Sequence, residues 1–177
     1  MILHRVWHSA MSPKYKCSHR TGVFAACRKD MAEAMVKQLS IFVENQKGRL
    51  AAIVDLLSSY DINMYALSVG DTADFGILRL IVDDNDKAIS ILKEHNVIAT
   101  LTEVVVAVMP NEPGGLAKVL WILAGANINV EYLYAFVSTT KSQAYVALRV
   151  EDNAAASKIL SDNEIPMVDQ KELEKQV

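Results

Sequence analysis

The chain has 177 residues, of which 51% are hydrophobic and 22% charged, so it is long enough and apolar enough to bury a globular core. Its net charge of −3 is unevenly distributed. Residues 1–35 carry six Lys/Arg and two Asp/Glu, whereas residues 36–177 carry twelve Lys/Arg and nineteen Asp/Glu. The acidic character of residues 36–177 argues against a nucleic-acid partner, because affinity for phosphates depends on clustered Lys and Arg. No apolar run approaches the roughly 20 residues of a membrane span, so we expect no membrane association.

The leading segment, residues 1–35, matches nothing else in the chain. It holds both cysteines, Cys17 and Cys27, with His8 and His19 nearby. Common zinc sites have paired ligands two to four residues apart, and this spacing differs, so we predict neither a metal nor another cofactor. We expect an extension of unknown role, either disordered or read from upstream of the true start. Since the rest of the chain lacks cysteine, a reducing cytoplasm is the expected compartment.

The remainder of the chain is a tandem repeat, in which three short motifs occur twice, 66 to 68 residues apart. They are Asn-x-x-Gly-x-Leu-Ala at 45–51 and 111–117, Ile-Asn at 62–63 and 128–129, and Val-acidic-Asp-Asn at 82–85 and 150–153. Units of this length exceed solenoid repeats and are long enough to be small domains. We predict two domains, 36–102 and 103–170, followed by a C-terminal tail at 171–177.

Periodicity predicts the elements of each unit in chain order. In the first unit, hydrophobic residues alternate with polar ones over 38–44, which predicts a half-buried strand. Over 50–57 they recur at i, i+3, i+4 and i+7, which predicts an amphipathic helix. Strands follow at 62–69 and 75–82, then a second helix, then a short strand from Val97. The second unit repeats this βαββαβ order, so the predicted class is α+β, with two ferredoxin-like units that each carry two helices on one face of an antiparallel sheet.

The sheet face turned away from the helices differs between the two units. In the first unit it shows Gln38, Ser40 and Glu44, which is typical of a face in contact with water. In the second unit the equivalent positions are Val104, Val106 and Val108, with Pro110 last. An apolar face on an antiparallel sheet predicts a cover, either a neighbouring domain or a second chain, although a strand that is merely rich in β-formers is the alternative. On this basis we expect a homodimer.

A βαββαβ unit with Asn-x-x-Gly-x-Leu between its first strand and helix, and Ile-Asn at the start of its second strand, resembles an ACT domain. The second unit matches the fuller pattern Asn-x-Pro-Gly-x-Leu, whereas Lys47 replaces the proline in the first. The resemblance covers about residues 37–170 and is to stand-alone tandem ACT proteins. It implies a module that senses a small molecule, most often an amino acid, and regulates a metabolic enzyme. It also implies pairing of the two units through their second strands into one eight-stranded sheet.

The resemblance places the ligand at the two loops, and elementary chemistry gives a reason. A glycine that opens a helix lets a ligand approach the backbone, and the N–H groups of the first turn favour a carboxylate. An asparagine oxygen can accept a hydrogen bond from an ammonium group. The alternative is that each asparagine only caps its helix and each glycine only forms the turn. The residues assigned to an amino-acid ligand are Asn45, Gly48, Arg49, Leu50, Asn111, Gly114, Gly115 and Leu116 in the loops, with Ser68 and Tyr134 from the second strands.

No catalytic set accompanies these loops, and we predict that the protein is not an enzyme. Acylphosphatases share the topology, but they need a glycine-rich phosphate loop, and the first loop has one glycine beside Arg49. The repeats contain a single histidine, His95, and no cysteine. The alternative to a ligand sensor is a protein-interaction subunit that docks on a metabolic enzyme and has no ligand of its own.

Overall fold

The computed structural model describes residues 35–71, 75–137 and 142–176. The cysteines and histidines of the leading segment that were considered as metal ligands lie outside these ranges. The elements are β1 Met35–Glu44, α1 Arg49–Ser59, β2 Met64–Asp71, β3 Phe75–Val82, α2 Asn85–Glu94, β4 Ala99–Pro110, α3 Gly115–Gly125, β5 Val130–Val137, β6 Gln143–Val150, α4 Asn153–Asp162, β7 Met167–Val168 and α5 Gln170–Gln176. The residues predicted as a C-terminal tail thus form most of α5.

One continuous strand, β4, belongs to both repeats. From Ala99 to Val105 it pairs antiparallel with β1, and from Val105 to Pro110 it pairs with β6 on its other side. The strand order is β2-β3-β1-β4-β6-β5, and β7 also pairs with β4. The sheet therefore has seven strands instead of the eight predicted, because the last strand of one repeat and the first strand of the next are a single strand. The second strands, β2 and β5, do not pair with each other as predicted, since they lie at opposite ends of this order.

Helices α1 to α4 pack on one face of the sheet and create two separate cores, one for each repeat. This arrangement confirms the predicted βαββαβ pattern and the helical periodicity. The largest fully buried side chains of the first core include Leu39, Ile41, Ile53, Leu57, Leu80 and Leu92, and those of the second include Leu123, Leu148 and Leu160.

The repeated short motifs have structural roles at helix ends. The side chains of Asp84 and Asp152 each accept a hydrogen bond at 2.9 Å from the backbone N–H three residues further on, and so cap α2 and α4. Ile62 is buried in the first core, and Ile128 packs against the second. The two motifs are therefore accounted for by capping and packing without a ligand.

The face of the sheet turned away from α1 to α4, which we call the inner face, closes on itself around a third core. This core joins Val36 of β1 and Val104 of β4 to Tyr134 of β5 and Tyr145 of β6. Helix α5 contributes Leu173, which is fully buried there. The cover predicted for the valine face therefore comes from the same chain, and the valine face gives no support for a homodimer.

A buried amide ties the two repeats together across this inner face. The prediction that Gln38 faces water is wrong, since its exposure is 0%. Its Nε2 donates to Ser40 Oγ and to Tyr132 Oη, each at 2.9 Å, and its Oε1 accepts from Tyr134 Oη at 3.0 Å. Burial of an amide is tolerated when its hydrogen bonds are made. Alternation of residue types along β1 could not reveal this, because the two tyrosine partners lie more than 90 residues away.

The packing of α5 on the third core can be tested with Leu173→Ala. Because this side chain is fully buried, we expect the free energy of unfolding to fall by about 2–5 kcal/mol. The exposed Lys171 of the same helix provides the control, and Lys171→Ala should change stability by less than about 0.5 kcal/mol. Urea denaturation of both variants gives the comparison. Similar small effects at the two positions would contradict the packing described here.

Candidate functional site

The two glycine loops lie at opposite ends of the sheet. Loop 1, residues 45–48, follows β1, and loop 2, residues 111–114, follows β4. Strands β1 and β4 are antiparallel, with Met35 opposite Val105 and Ile41 opposite Ala99, so their C-terminal ends point in opposite directions. A single small ligand therefore cannot contact both loops of one chain.

Each loop ends in a glycine whose backbone is left-handed and which caps the following helix. The φ angle is 82° at Gly48 and 96° at Gly114. In both loops the N–H group after the glycine donates to the carbonyl oxygen three residues back, at 3.1 Å. A left-handed conformation is unfavourable for residues with a Cβ. The next N–H groups of each first helical turn have no acceptor within the helix. A glycine at the cap position has no side chain that could accept a hydrogen bond from them.

The residue after the glycine distinguishes the two loops. Arg49 is half-buried, and its Nε is buried without a hydrogen-bond partner in the described ranges. Gly115 is buried, and a Cβ placed on it would lie 2.4 Å from the carbonyl oxygen of Pro110. Loop 1 thus presents a cation, whereas loop 2 brings the start of its helix into close contact with the end of β4.

The remaining predicted loop residues lie around these glycines. Asn45 and Asn111 are exposed, and the N–H of Asn111 donates to the carbonyl oxygen of Ser142 at 3.0 Å. Leu50 is 39% exposed, while Leu116 packs against the second core. Of the two leucines, Leu50 is therefore the one that presents apolar surface next to its loop.

Ser68 and Tyr134 lie on the inner face. Ser68 of β2 stands opposite Arg79 of β3. Tyr134 is 8% exposed, and its hydroxyl donates to Gln38. Burial raises the pKa of Tyr134 far above its usual range; the nearby Tyr132 adds to this effect and the charge of Arg79 opposes it. The hydroxyl therefore stays a donor, and the Gln38 contact accounts for its burial without a ligand.

A bulge at the start of each second strand changes which residues share a face. The register of β2 shifts between Met64 and Ala66, and that of β5 shifts between Val130 and Tyr132. As a result Met64 packs against the first core, while Tyr65 packs against the third. Strict alternation along β2 would place Met64 on the same face as Ala66, but alternation ends at a bulge.

Sequence reasoning missed Arg79. Its guanidinium carbon lies 4.0 Å from the centroid of the Tyr132 ring, and its Nε is buried without a hydrogen-bond partner in the described part of the chain. The available signal was that Arg79 is the one charged residue of β3, whose other residues are apolar.

Two further observations concern the described ranges. No three His, Cys, Asp or Glu side chains within 35–71, 75–137 and 142–176 come together as a metal site requires. No helix in this part of the chain is long and apolar enough to cross a bilayer.

Two ferredoxin-like units in tandem, each with a glycine-capped helix after its first strand, define the class of protein as a tandem ACT protein. The model of the family described as ACT domain pair matches residues 34–177, and the chain belongs to this family. ACT domains are regulatory modules, which agrees with the class predicted from the two loops.

Solved structures share this architecture. A protein from Bacteroides thetaiotaomicron is 38% identical, with a TM-score of 0.75 over 80% of this chain and 97% of that chain. The regulatory subunits of aspartate kinase from Thermus thermophilus, in a ligand-free form, and Thermus flavus are 18% and 17% identical. Their TM-scores are 0.54 and 0.52, over 71% of this chain and 91% and 90% of theirs, which shows a shared fold. Among curated proteins, none matches the chain significantly.

The close approach at loop 2 predicts that Gly115 tolerates no side chain. Because an added Cβ would meet the Pro110 carbonyl oxygen at 2.4 Å, we expect Gly115→Ala to lower the free energy of unfolding by about 1–3 kcal/mol. Gly125, at the other end of α3, has open space around it, and Gly125→Ala should raise stability by up to about 1 kcal/mol. Chemical denaturation of the two variants checks both signs, and a stable Gly115→Ala variant would contradict the geometry.

Proposed function

We propose that this protein is a regulatory protein that binds an amino acid at its glycine loops and modulates a partner metabolic enzyme. The observation that carries the proposal is the left-handed glycine cap found at the same point of both repeats, Gly48 and Gly114. Each cap stands next to first-turn N–H groups that lack an acceptor within the helix. Membership of the ACT domain pair family supports the same function.

The chemistry of the loops suits the two ends of an amino acid. The first-turn N–H groups and the positive end of the helix dipole favour the carboxylate. The exposed Asn45 and Asn111 carry oxygens that can accept from the α-ammonium group. Arg49 adds a positive charge at loop 1, and the adjacent Leu50 offers apolar surface to a side chain.

We further propose that a second copy of the chain completes the site at loop 1. Within one chain the two loops lie at opposite ends of the sheet. Neither loop can therefore contribute residues to a ligand site at the other loop. Strand β2 is at the end of the strand order, and its Leu67 and Val69 are 62% and 49% exposed. An edge strand with exposed apolar residues favours pairing with another strand. These observations support a homodimer that pairs at β2 instead of at the buried valine face.

The β2 pairing predicts that Leu67→Lys and Val69→Lys together convert a dimer into a monomer. Two charges on this edge would be buried against a second copy, and burial of unpaired charge is costly. Light scattering coupled to size-exclusion chromatography measures the mass. The exposed Lys93 of α2 gives the control, since Lys93→Ala should leave the mass unchanged. A wild-type chain that is monomeric at every concentration would contradict the pairing.

A second candidate function is that of a docking subunit without a ligand of its own. The observation that favours it is Trp121 on α3, which is 61% exposed. Tryptophan is enriched in protein interfaces, where it often provides an anchor. Both functions share the fold and differ in whether the loops bind a small molecule.

The ligand is tested by thermal unfolding of the full chain against each of the twenty amino acids. A ligand present at about 100 times its Kd stabilises the folded state by about 2.7 kcal/mol, which corresponds to several degrees in Tm. We expect one chemical class to raise Tm. Gly48→Ala and Gly114→Ala each distort one loop, and the variant that abolishes the shift identifies the loop in use. Gly125→Ala, at the far end of the helix that Gly114 caps, should retain the shift. An unchanged Tm with every amino acid would favour the docking subunit.

A further inference from the structure

Arg79, on the inner face, has no carboxylate partner among the described residues. Its Nε is buried and makes no hydrogen bond to the described residues, and no carboxylate among them lies within ion-pair distance. Arg149, on the same face, is by contrast 3.6 Å from a carboxylate oxygen of Glu131 and donates to the carbonyl oxygen of Glu103 at 3.1 Å. Arg79 is half-buried, and a buried N–H donor without an acceptor is unfavourable. Arg79 can therefore bind an anion, whereas Arg149 is already paired with the carboxylate of Glu131.

The guanidinium of Arg79 lies near residues of β5 and β2, the strands at the two ends of the sheet. The Tyr132 ring of β5 lies 4.0 Å from its central carbon. A Cβ placed on Gly70 of β2 would lie 3.3 Å from its Nη1. These neighbours restrict the positions open to the guanidinium.

Two serines lie next to Arg79 on the neighbouring strands β1 and β2. Ser40 of β1 and Ser68 of β2 both stand directly opposite Arg79 in the antiparallel register, and residues so placed share a face with Cβ atoms about 4.5–5.5 Å apart. Ser40 Oγ already accepts a hydrogen bond from Gln38 at 2.9 Å, so its own proton is available to another acceptor. Across β1, β3 and β2 the order on the inner face is therefore Ser40, Arg79, Ser68.

We propose that Arg79, Ser40 and Ser68 form a binding site for the carboxylate group of a small molecule, separate from loops 1 and 2. The guanidinium fork matches the two oxygens of a carboxylate, and the hydroxyls supply donors beside it. The single positive charge balances the single negative charge of a carboxylate. A phosphate dianion would need a second cation, and Arg149 is already paired with Glu131.

The site is tested on the full chain by following the Nε–H signal of Arg79 in a ¹H–¹⁵N NMR spectrum. Sodium acetate is the probe, with sodium chloride at equal ionic strength and acetamide as controls. We expect a saturable shift with acetate and none with acetamide or chloride. An equal response to chloride, or saturation by inorganic phosphate but not by acetate, would overturn the carboxylate assignment.

Variants then assign the residues, with the backbone N–H of Ser68 as reporter. Arg79→Lys keeps the charge and loses the fork, and should weaken acetate binding by at least roughly tenfold. Arg149→Gln removes a charge from the same face and should leave acetate binding unchanged. If Arg79→Lys does not fold, Ser68→Ala serves in its place and should weaken binding several-fold. Unchanged affinity in these Arg79 or Ser68 variants, or an equal loss in Arg149→Gln, would overturn the proposal.

The two binding proposals fail independently. Gly48→Ala and Gly114→Ala alter the loops and should leave the acetate response of Arg79 intact. Arg79→Lys should in turn retain the thermal shift produced by an amino acid bound at a loop. An acetate response lost in the glycine variants would show that the inner-face site is not separate from the loops.

Discussion

The continuous strand β4 is the constraint on which the rest of the structure depends. Because Ala99 to Val105 pairs with β1 and Val105 to Pro110 pairs with β6, both repeats share one sheet and cannot move as separate domains. The same strand sets the directions of the two loops, since loop 2 follows β4 and loop 1 follows its antiparallel partner β1. The arrangement of the candidate sites is thus a consequence of how the repeats are fused.

Closure of the inner face gives the sheet a third core that neither repeat has alone. It buries the valines of β4 and joins them to aromatic residues of β5 and β6. The polar residues at its edge, Gln38, Arg79 and the tyrosines of β5, stand where the first repeat meets the second. A ligand bound at this junction would contact both repeats, whereas a ligand at a loop would contact one repeat and, in our proposal, a second chain. The chain therefore has two kinds of candidate binding site, the junction on the inner face and the glycine loops, and binding at either can alter its stability.

The sequence predicted each repeat well and their assembly poorly. Periodicity located α1 from Leu50 onward and β3 at Phe75–Val82, because local burial leaves a local pattern. The loops were found because a left-handed cap restricts residue choice to glycine, which repeats visibly. The fusion through β4 and the burial of Gln38 were missed, since both depend on contacts between distant segments. Arg79 was missed because its neighbours Ser40 and Ser68 belong to other strands and are brought beside it only by register.

The central claim, that the inner faces of the two repeats close on each other, is tested most directly by a double-mutant cycle between Gln38 and Tyr134. The variants are Gln38→Met, Tyr134→Phe and their combination, and the free energy of unfolding is measured for each. Each single change leaves a buried polar group without this partner, at a cost of about 1–3 kcal/mol, whereas the double change removes both groups. We predict a coupling energy of about 1 kcal/mol or more, with the double variant less destabilised than the sum of the singles. Additivity within about 0.5 kcal/mol would contradict the closed inner face.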